Sequence, residues 1–204
     1  MKTIYFIRHG IAQHNVLFNN LGKKVFYDPR YSDTKLTPQG HEQSIKLGNN
    51  WKEIHDIDIA LCSSLSRTLE TAENIFMNTG KKIIALDILK EFPQGLQTCN
   101  KRSNKSDLIK RFHTIDFSYI DSEEDELWDS TKEESINNLN LRIEKLNDFL
   151  KLREEKNIAI IGHNSFISQY KDKKIPLIEN GDQELLHCYP YKFQFNTHEY
   201  SPPL

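Results

Sequence analysis

The chain has little cysteine. Its 204 residues include three, Cys62, Cys99 and Cys188, and no two stand in a CxxC pair. An odd count without that spacing argues against a disulfide framework and for a reducing compartment. An excess of charge of one sign is also missing: 27 Lys+Arg stand against 29 Asp+Glu, a formal net charge of −2. So balanced a chain has no overall electrostatic reason to hold nucleic acid. No apolar run approaches the roughly 20 residues that a membrane-spanning helix needs. The opening residues lack the basic-then-apolar layout of a signal peptide. Internal repeats, low-complexity tracts and Pro/Gly/Ser linkers are absent as well, so residues 1–204 read as one domain. The expectation is a cytoplasmic protein with neither nucleic acid nor a membrane as partner.

What is present is a globular balance, 37% hydrophobic and 27% charged residues. Four short apolar runs, residues 4–7, 57–61, 83–86 and 158–161, predict buried strands. Apart from Asp58 they are continuously apolar, as strands covered on both faces by helices are. Helical patterns lie between them. Thr37-Pro38 offers an N-cap with proline at the first helical position, and Leu47, Trp51 and Ile54 follow on one face. Leu65, Leu69, Ala72 and Phe76 repeat at helical spacing, with Gly80 as a stop signal. Ile136, Leu139, Ile143, Leu146 and Leu150 form a stripe too short for a coiled coil and suited to a helix lying on a sheet. Strand and helix alternate, which predicts an α/β fold: a three-layer sandwich with a mostly parallel central sheet and helices on both faces.

Residues 87–132 fit this alternation poorly. They hold a basic part (Lys101, Arg102, Lys105, Lys110, Arg111) and then an acidic part from Asp121 to Asp129. An insertion of that length in a compact domain reads as a substrate-facing excursion. Residues 185–195, with a Tyr-Pro corner, read as an edge hairpin.

Ligands of a parallel sheet bind beyond the carboxyl ends of its strands. The first run leads into Arg8-His9-Gly10, the second into Ser63-Ser64-Leu65-Ser66-Arg67, the third toward Glu91, and the fourth into Gly162-His163-Asn164. Two histidines, two arginines and a carboxylate therefore meet at one edge. Guanidiniums match phosphate oxygens. A neutral imidazole is a competent nucleophile toward phosphorus, and a carboxylic acid can protonate the departing oxygen. Phosphoryl transfer needs mainly positioning and charge stabilisation, and this set supplies both without a metal or other cofactor. Metal spacings such as HxxxH and HExxH do not occur, and arginines around His9 would repel a cation.

These residues stand in blocks that resemble the histidine phosphatase (phosphoglycerate mutase-like) superfamily. IYFIRHGIAQHN is similar to its opening signature, DTKLTPQGHEQSIKLG to its L-T-x-x-G-x-x-Q block, CSSLSRTLETA to its S-x-L-x-R-x-x-x-T-A block, and IGHN to its second histidine motif. The resemblance covers most of the chain and keeps the family's order. It implies His9 as the phosphorylated nucleophile, with Arg8, Arg67 and His163 holding the phosphoryl group. Asn15 would add a phosphate hydrogen bond, and Glu91 in LKEFPQG would be the proton donor. The stretch LKEFPQGLQTCNKRSNKSDL further resembles a mutase-like subgroup of plants and fungi, which implies Lys101 and Arg102 near the substrate. Asn164, beside His163, is counted with these substrate-binding positions.

Three departures argue against phosphoglycerate mutase activity. Ile11 stands where mutases commonly carry glutamate, Asn164 replaces the commoner glycine or serine, and PQGLQT replaces the Trp-Glu-Gly element. The favoured expectation is a phosphomonoester hydrolase acting on a phosphorylated small molecule or phosphoprotein. A phosphomutase and a non-catalytic phospho-ligand module are the alternatives. His14 lies close enough to His9 in sequence to reach the pocket rim, and the cysteines read as incidental.

Overall fold

The computed structural model describes residues 1–176 and 182–196. The apolar runs become strands of one sheet: β1 (Lys2–Arg8), β2 (Ile59–Ser63), β3 (Ile83–Leu86), β4 (Ile115–Asp116), β5 (Asn157–Gly162) and β6 (Pro190–Phe195). Their spatial order is β4-β3-β2-β5-β1-β6. All neighbours run parallel except β1 and β6. The helices are α1 (Gln13–Leu21), α2 (Lys24–Tyr27), α3 (Pro38–Asn50), α4 (Ser66–Phe76), α5 (Lys105–Arg111), α6 (Ile136–Leu152) and α7 (Asn164–Asp172).

Strand side chains alternate between the faces, and each face has its own core. Tyr5, Ile7, Cys62 and Ala85 pack with Trp51, Leu69, Ala72 and Phe76 on the side of α3 and α4. Ile4, Phe6, Leu61 and Ile160 pack with Leu139, Ile143, Leu146 and Leu150 of α6 and Phe166 of α7 on the other. This is the α/β sandwich expected from the alternation. Thr37 caps α3 by accepting from the Gly40 N–H at 3.1 Å, a contact worth about 1 kcal/mol.

Several details differ from the expectations. β2 begins at Ile59, two residues into its apolar run, because Ile57 is buried outside the ladder and Asp58 intervenes. Asp58 opens the pairing instead, its carboxylate accepting from Lys156 and Asn157 N–H groups at 2.9 and 2.8 Å. α4 ends at Phe76, and Gly80 lies beyond it with φ of 64°. Ile136, the first residue of α6, is exposed, whereas the rest of its stripe is buried. Residues 185–195 do not pair with themselves. β6 is a single edge strand antiparallel to β1, with an isolated bridge between Arg8 and His187 just before it.

The 87–132 excursion is also more regular than expected. It forms α5 and adds to the sheet the two-residue strand β4, an element too short to show a period in sequence. Its interior is ionic. Lys90 and Asp125 form a pair with both side chains fully buried.

Candidate active site

The motif blocks fold together because they pin one short turn. A Cβ on Gly10 would lie 2.5 Å from the Gly40 carbonyl oxygen, and one on Gly40 would lie 2.2 Å from that of Ile11. Only hydrogen fits at either position. Thr37 donates its hydroxyl to the Ile11 carbonyl at 2.9 Å, and Gln43 accepts from the Ile11 N–H at 3.0 Å. From α4, Thr71 accepts the Gly10 N–H at 3.1 Å. The second and third blocks are thus the clamp that fixes the turn after β1.

His9 follows β1 and is 2% exposed. Its Nδ1 lies 2.7 Å from the Gly10 carbonyl oxygen. A carbonyl can only accept, so Nδ1 carries the proton and Nε2 keeps its lone pair. Burial first, and then Arg67, His163, His187 and Arg8, hold the imidazole well below its usual pKa. The ring is neutral at neutral pH and nucleophilic at Nε2. His163 lies 5.2 Å from it between ring centroids and is anchored by a 2.8 Å contact between Nε2 and the Ser63 hydroxyl. His187 lies 5.5 Å away and donates from Nδ1 to the His9 carbonyl at 2.5 Å.

The two arginines come from different elements. Arg67, in the first turn of α4, donates to the Cys99 carbonyl at 2.8 Å and to Asn100 Oδ1 at 2.9 Å. Arg8, at the end of β1, donates to both Glu184 carboxylate oxygens at 3.1 Å and to the Leu185 carbonyl at 2.7 Å. Among the described residues, Nε of Arg8, Nε of Arg67 and Nδ1 of His163 are buried without a hydrogen-bond partner. Leaving such groups unpaired costs on the order of 1–3 kcal/mol each. Oxyanion oxygens are the partners this chemistry suits.

Glu91, in the loop that follows β3, packs its carboxylate against the first turn of α7. Its carboxylate accepts from the N–H groups of Phe92 at 2.8 Å, Phe166 at 3.2 Å and Ser165 at 3.4 Å. Those donors and Arg67 favour the ionised form, but burial outweighs them and raises the pKa above the ordinary carboxyl value. Arg8, His9, Arg67 and Glu91 all line one cavity of about 440 Å³. His163 is wholly buried at the base of the cluster.

Asn15 and Asn164 line the same cavity. Asn15 Oδ1 accepts from the Ala12 N–H at 2.9 Å, and Asn164 Oδ1 from that of Leu185 at 2.9 Å. Lys101 and Arg102 are not brought there. Lys101 sits over the Trp128 ring at 4.7 Å. Arg102 is buried and donates to Asp87 and to the carbonyls of Ser103, Ser122, Glu123 and Glu124. Its charge holds the excursion closed on itself. Of that excursion it is the 91–100 part, through Glu91, Phe92, Pro93, Gln97, Cys99 and Asn100, that reaches the cavity.

Two residues at the site have no motif to announce them, His187 and Glu184. Their place depends on antiparallel pairing of β6 with β1, which no local pattern encodes. His14 is buried and lines the cavity, its Nδ1 2.6 Å from the Thr34 hydroxyl. Among the described residues no group of three or more His, Cys, Asp or Glu is placed to hold a metal ion, and no helix is long and apolar enough to cross a membrane.

Comparison with known proteins gives matches of two kinds. A family model described as the histidine phosphatase superfamily (branch 1) matches residues 4–172. Phosphoglycerate mutase-like protein 1 of Arabidopsis thaliana is 31% identical over 200 residues, covering 81% of this chain and 69% of that protein. A second phosphoglycerate mutase-like protein of that plant is 25% identical over 197 residues, covering 81% and 72%. Among solved structures, the α-ribazole phosphatase of Shigella flexneri shares the fold with a TM-score of 0.64 at 21% identity, covering 95% of this chain and 91% of that one.

Proposed function

Since the chain belongs to the histidine phosphatase superfamily, we propose that it is a metal-independent phosphomonoester hydrolase working through a phosphohistidine on His9. Nε2 of His9 attacks phosphorus, the P–O ester bond breaks, and protonated Glu91 gives its proton to the departing alcohol oxygen. Water then attacks the phosphohistidine. Glu91 takes the water's proton, the P–N bond breaks, and inorganic phosphate leaves with His9 neutral again. Arg8, Arg67 and His163 hold the phosphoryl oxygens throughout, stabilising the charge that builds on them.

The observation that carries this reading is the trio of unpaired buried nitrogens on Arg8, Arg67 and His163 around a neutral imidazole with Nε2 free. The test is phosphate release from a panel of phosphomonoesters with chelator present, for the native chain and His9→Ala. Release that survives chelation and disappears in the variant is the expected result. Release that persists in His9→Ala overturns the reading. The plant relatives' mutase-like names point to one further outcome, isomerised ester without free phosphate, which would make the second acceptor a substrate hydroxyl instead of water.

A further inference from the structure

Part of the cavity lining is aromatic, alongside polar side chains that include Asn15, Gln97, Asn100 and Ser165. From the His9 ring, His14 lies 6.1 Å away between centroids, and Phe26 a further 6.1 Å beyond His14. Phe26 stacks on Phe18 at 5.3 Å with the rings 16° from parallel. Phe92 and Pro93, immediately after Glu91, line the same space. All four are only partly buried, so they present surface to the cavity. We propose that the substrate's alcohol half is an aromatic or similarly flat apolar group without a carboxylate, held against Phe18, Phe26 and Phe92. This rests on the hydrolase reading and names its substrate class.

The charges around the cavity favour the same class. Among the described residues the lining cations are Arg8, Arg67 and Lys23. Arg8 and Arg67 belong to the phosphoryl site, and Glu184 already faces Arg8 with both carboxylate oxygens. Lys23 is exposed, where an ion pair contributes little. Lys101 and Arg102, the cations that could have met a second anionic group, are turned to Trp128 and to the excursion's carbonyls. His14 offers no compensating charge, because burial holds its imidazole well below the usual pKa. A phosphorylated hydroxy acid would bring its carboxylate to phenyl rings, beside the protonated carboxyl of Glu91 and the carboxylate of Glu184, with no described lining cation left to pair it. An aryl group would instead bury apolar surface there and stack.

The experiment compares 2-naphthylmethyl phosphate, whose leaving alcohol is as poor as that of 3-phosphoglycerate, with 3-phosphoglycerate on the full chain. The expected result is at least a tenfold higher kcat/KM for the naphthylmethyl ester. Phe26→Leu and Phe18→Leu should each raise its KM several-fold with a smaller change in kcat, narrowing that ratio. Equal kcat/KM values, or a preference for 3-phosphoglycerate, overturn the proposal while leaving the hydrolase reading intact. If neither ester is hydrolysed, titration calorimetry of both with His9→Ala decides: tighter binding of the naphthylmethyl ester supports the proposal although hydrolysis has failed, and equal or reversed affinities overturn it.

Discussion

The strand ends around His9 and the 87–132 excursion each bury an arginine, Arg67 at 1% and Arg102 at 2% exposure, and use it differently. Arg67 leaves Nε unpaired beside a cavity. Arg102 gives all three guanidinium nitrogens to a carboxylate and to backbone carbonyls of its own excursion. The first arrangement keeps donor capacity for a ligand, and the second uses it up in folding. Burial and charge alone do not distinguish the two; the pairing of each nitrogen does. The same contrast separates Glu91, held by three backbone N–H groups in the cavity wall, from Asp125, locked to Lys90 away from it.

Substitutions at the two regions should therefore fail in different ways. The largest effect is expected for Glu91→Gln, roughly 100- to 10,000-fold in kcat for esters with poor leaving groups. Glu91 donates only while protonated, and its raised pKa extends that form above the ordinary carboxyl range. Activity should fall as pH rises through that pKa. On the acid side it should persist, because His9 with its lowered pKa stays neutral below the usual imidazole range. A pH–rate profile that loses its alkaline limb in Glu91→Gln is the expected signature. An unchanged limb would remove Glu91 from the acid role.

Arg67→Lys should lower kcat/KM about 100-fold, since a single ammonium cannot reproduce the guanidinium fork. Arg102→Met tests the opposite side of the comparison. Removing the buried guanidinium leaves four backbone carbonyls without their donor and Asp87, 21% exposed, without that partner. The cost is about 3 kcal/mol or more, which for a chain of this size lowers Tm by about 6 °C or more. The kcat of the folded fraction should stay within a few-fold of native. A large kcat loss with unchanged Tm would contradict the division drawn here. Lys101→Ala is the smallest: less than a twofold change in kcat/KM, with at most about 1 kcal/mol lost from its contact with Trp128.

The central sheet was legible because its inner strands are buried on both faces, which leaves continuous runs such as Ile158–Ile161 within β5. The edges were not. β4 is two residues long, and β6 carries no apolar continuity, with several partly or fully exposed positions. At the site, Arg8, His9, Arg67, Glu91 and His163 follow strand ends and stand in motif blocks, so topology and motif agree on them. For Lys101 and Arg102 it is the resemblance alone that implies a place near the substrate. Whether a buried arginine faces a ligand or a row of carbonyls is set by tertiary folding of the excursion, which leaves no mark on local sequence. Glu184 and His187 escaped for the matching reason, being delivered by a strand pairing between opposite ends of the chain.

The most direct measurement is rapid acid-free quenching of the native chain with a hydrolysable phosphomonoester, followed by mass spectrometry of the histidine-containing peptides. The account predicts one transient phosphoryl group, located on His9 and lost on the timescale of turnover. Turnover with no phosphorylated His9, or with the phosphoryl group on another residue, would contradict it.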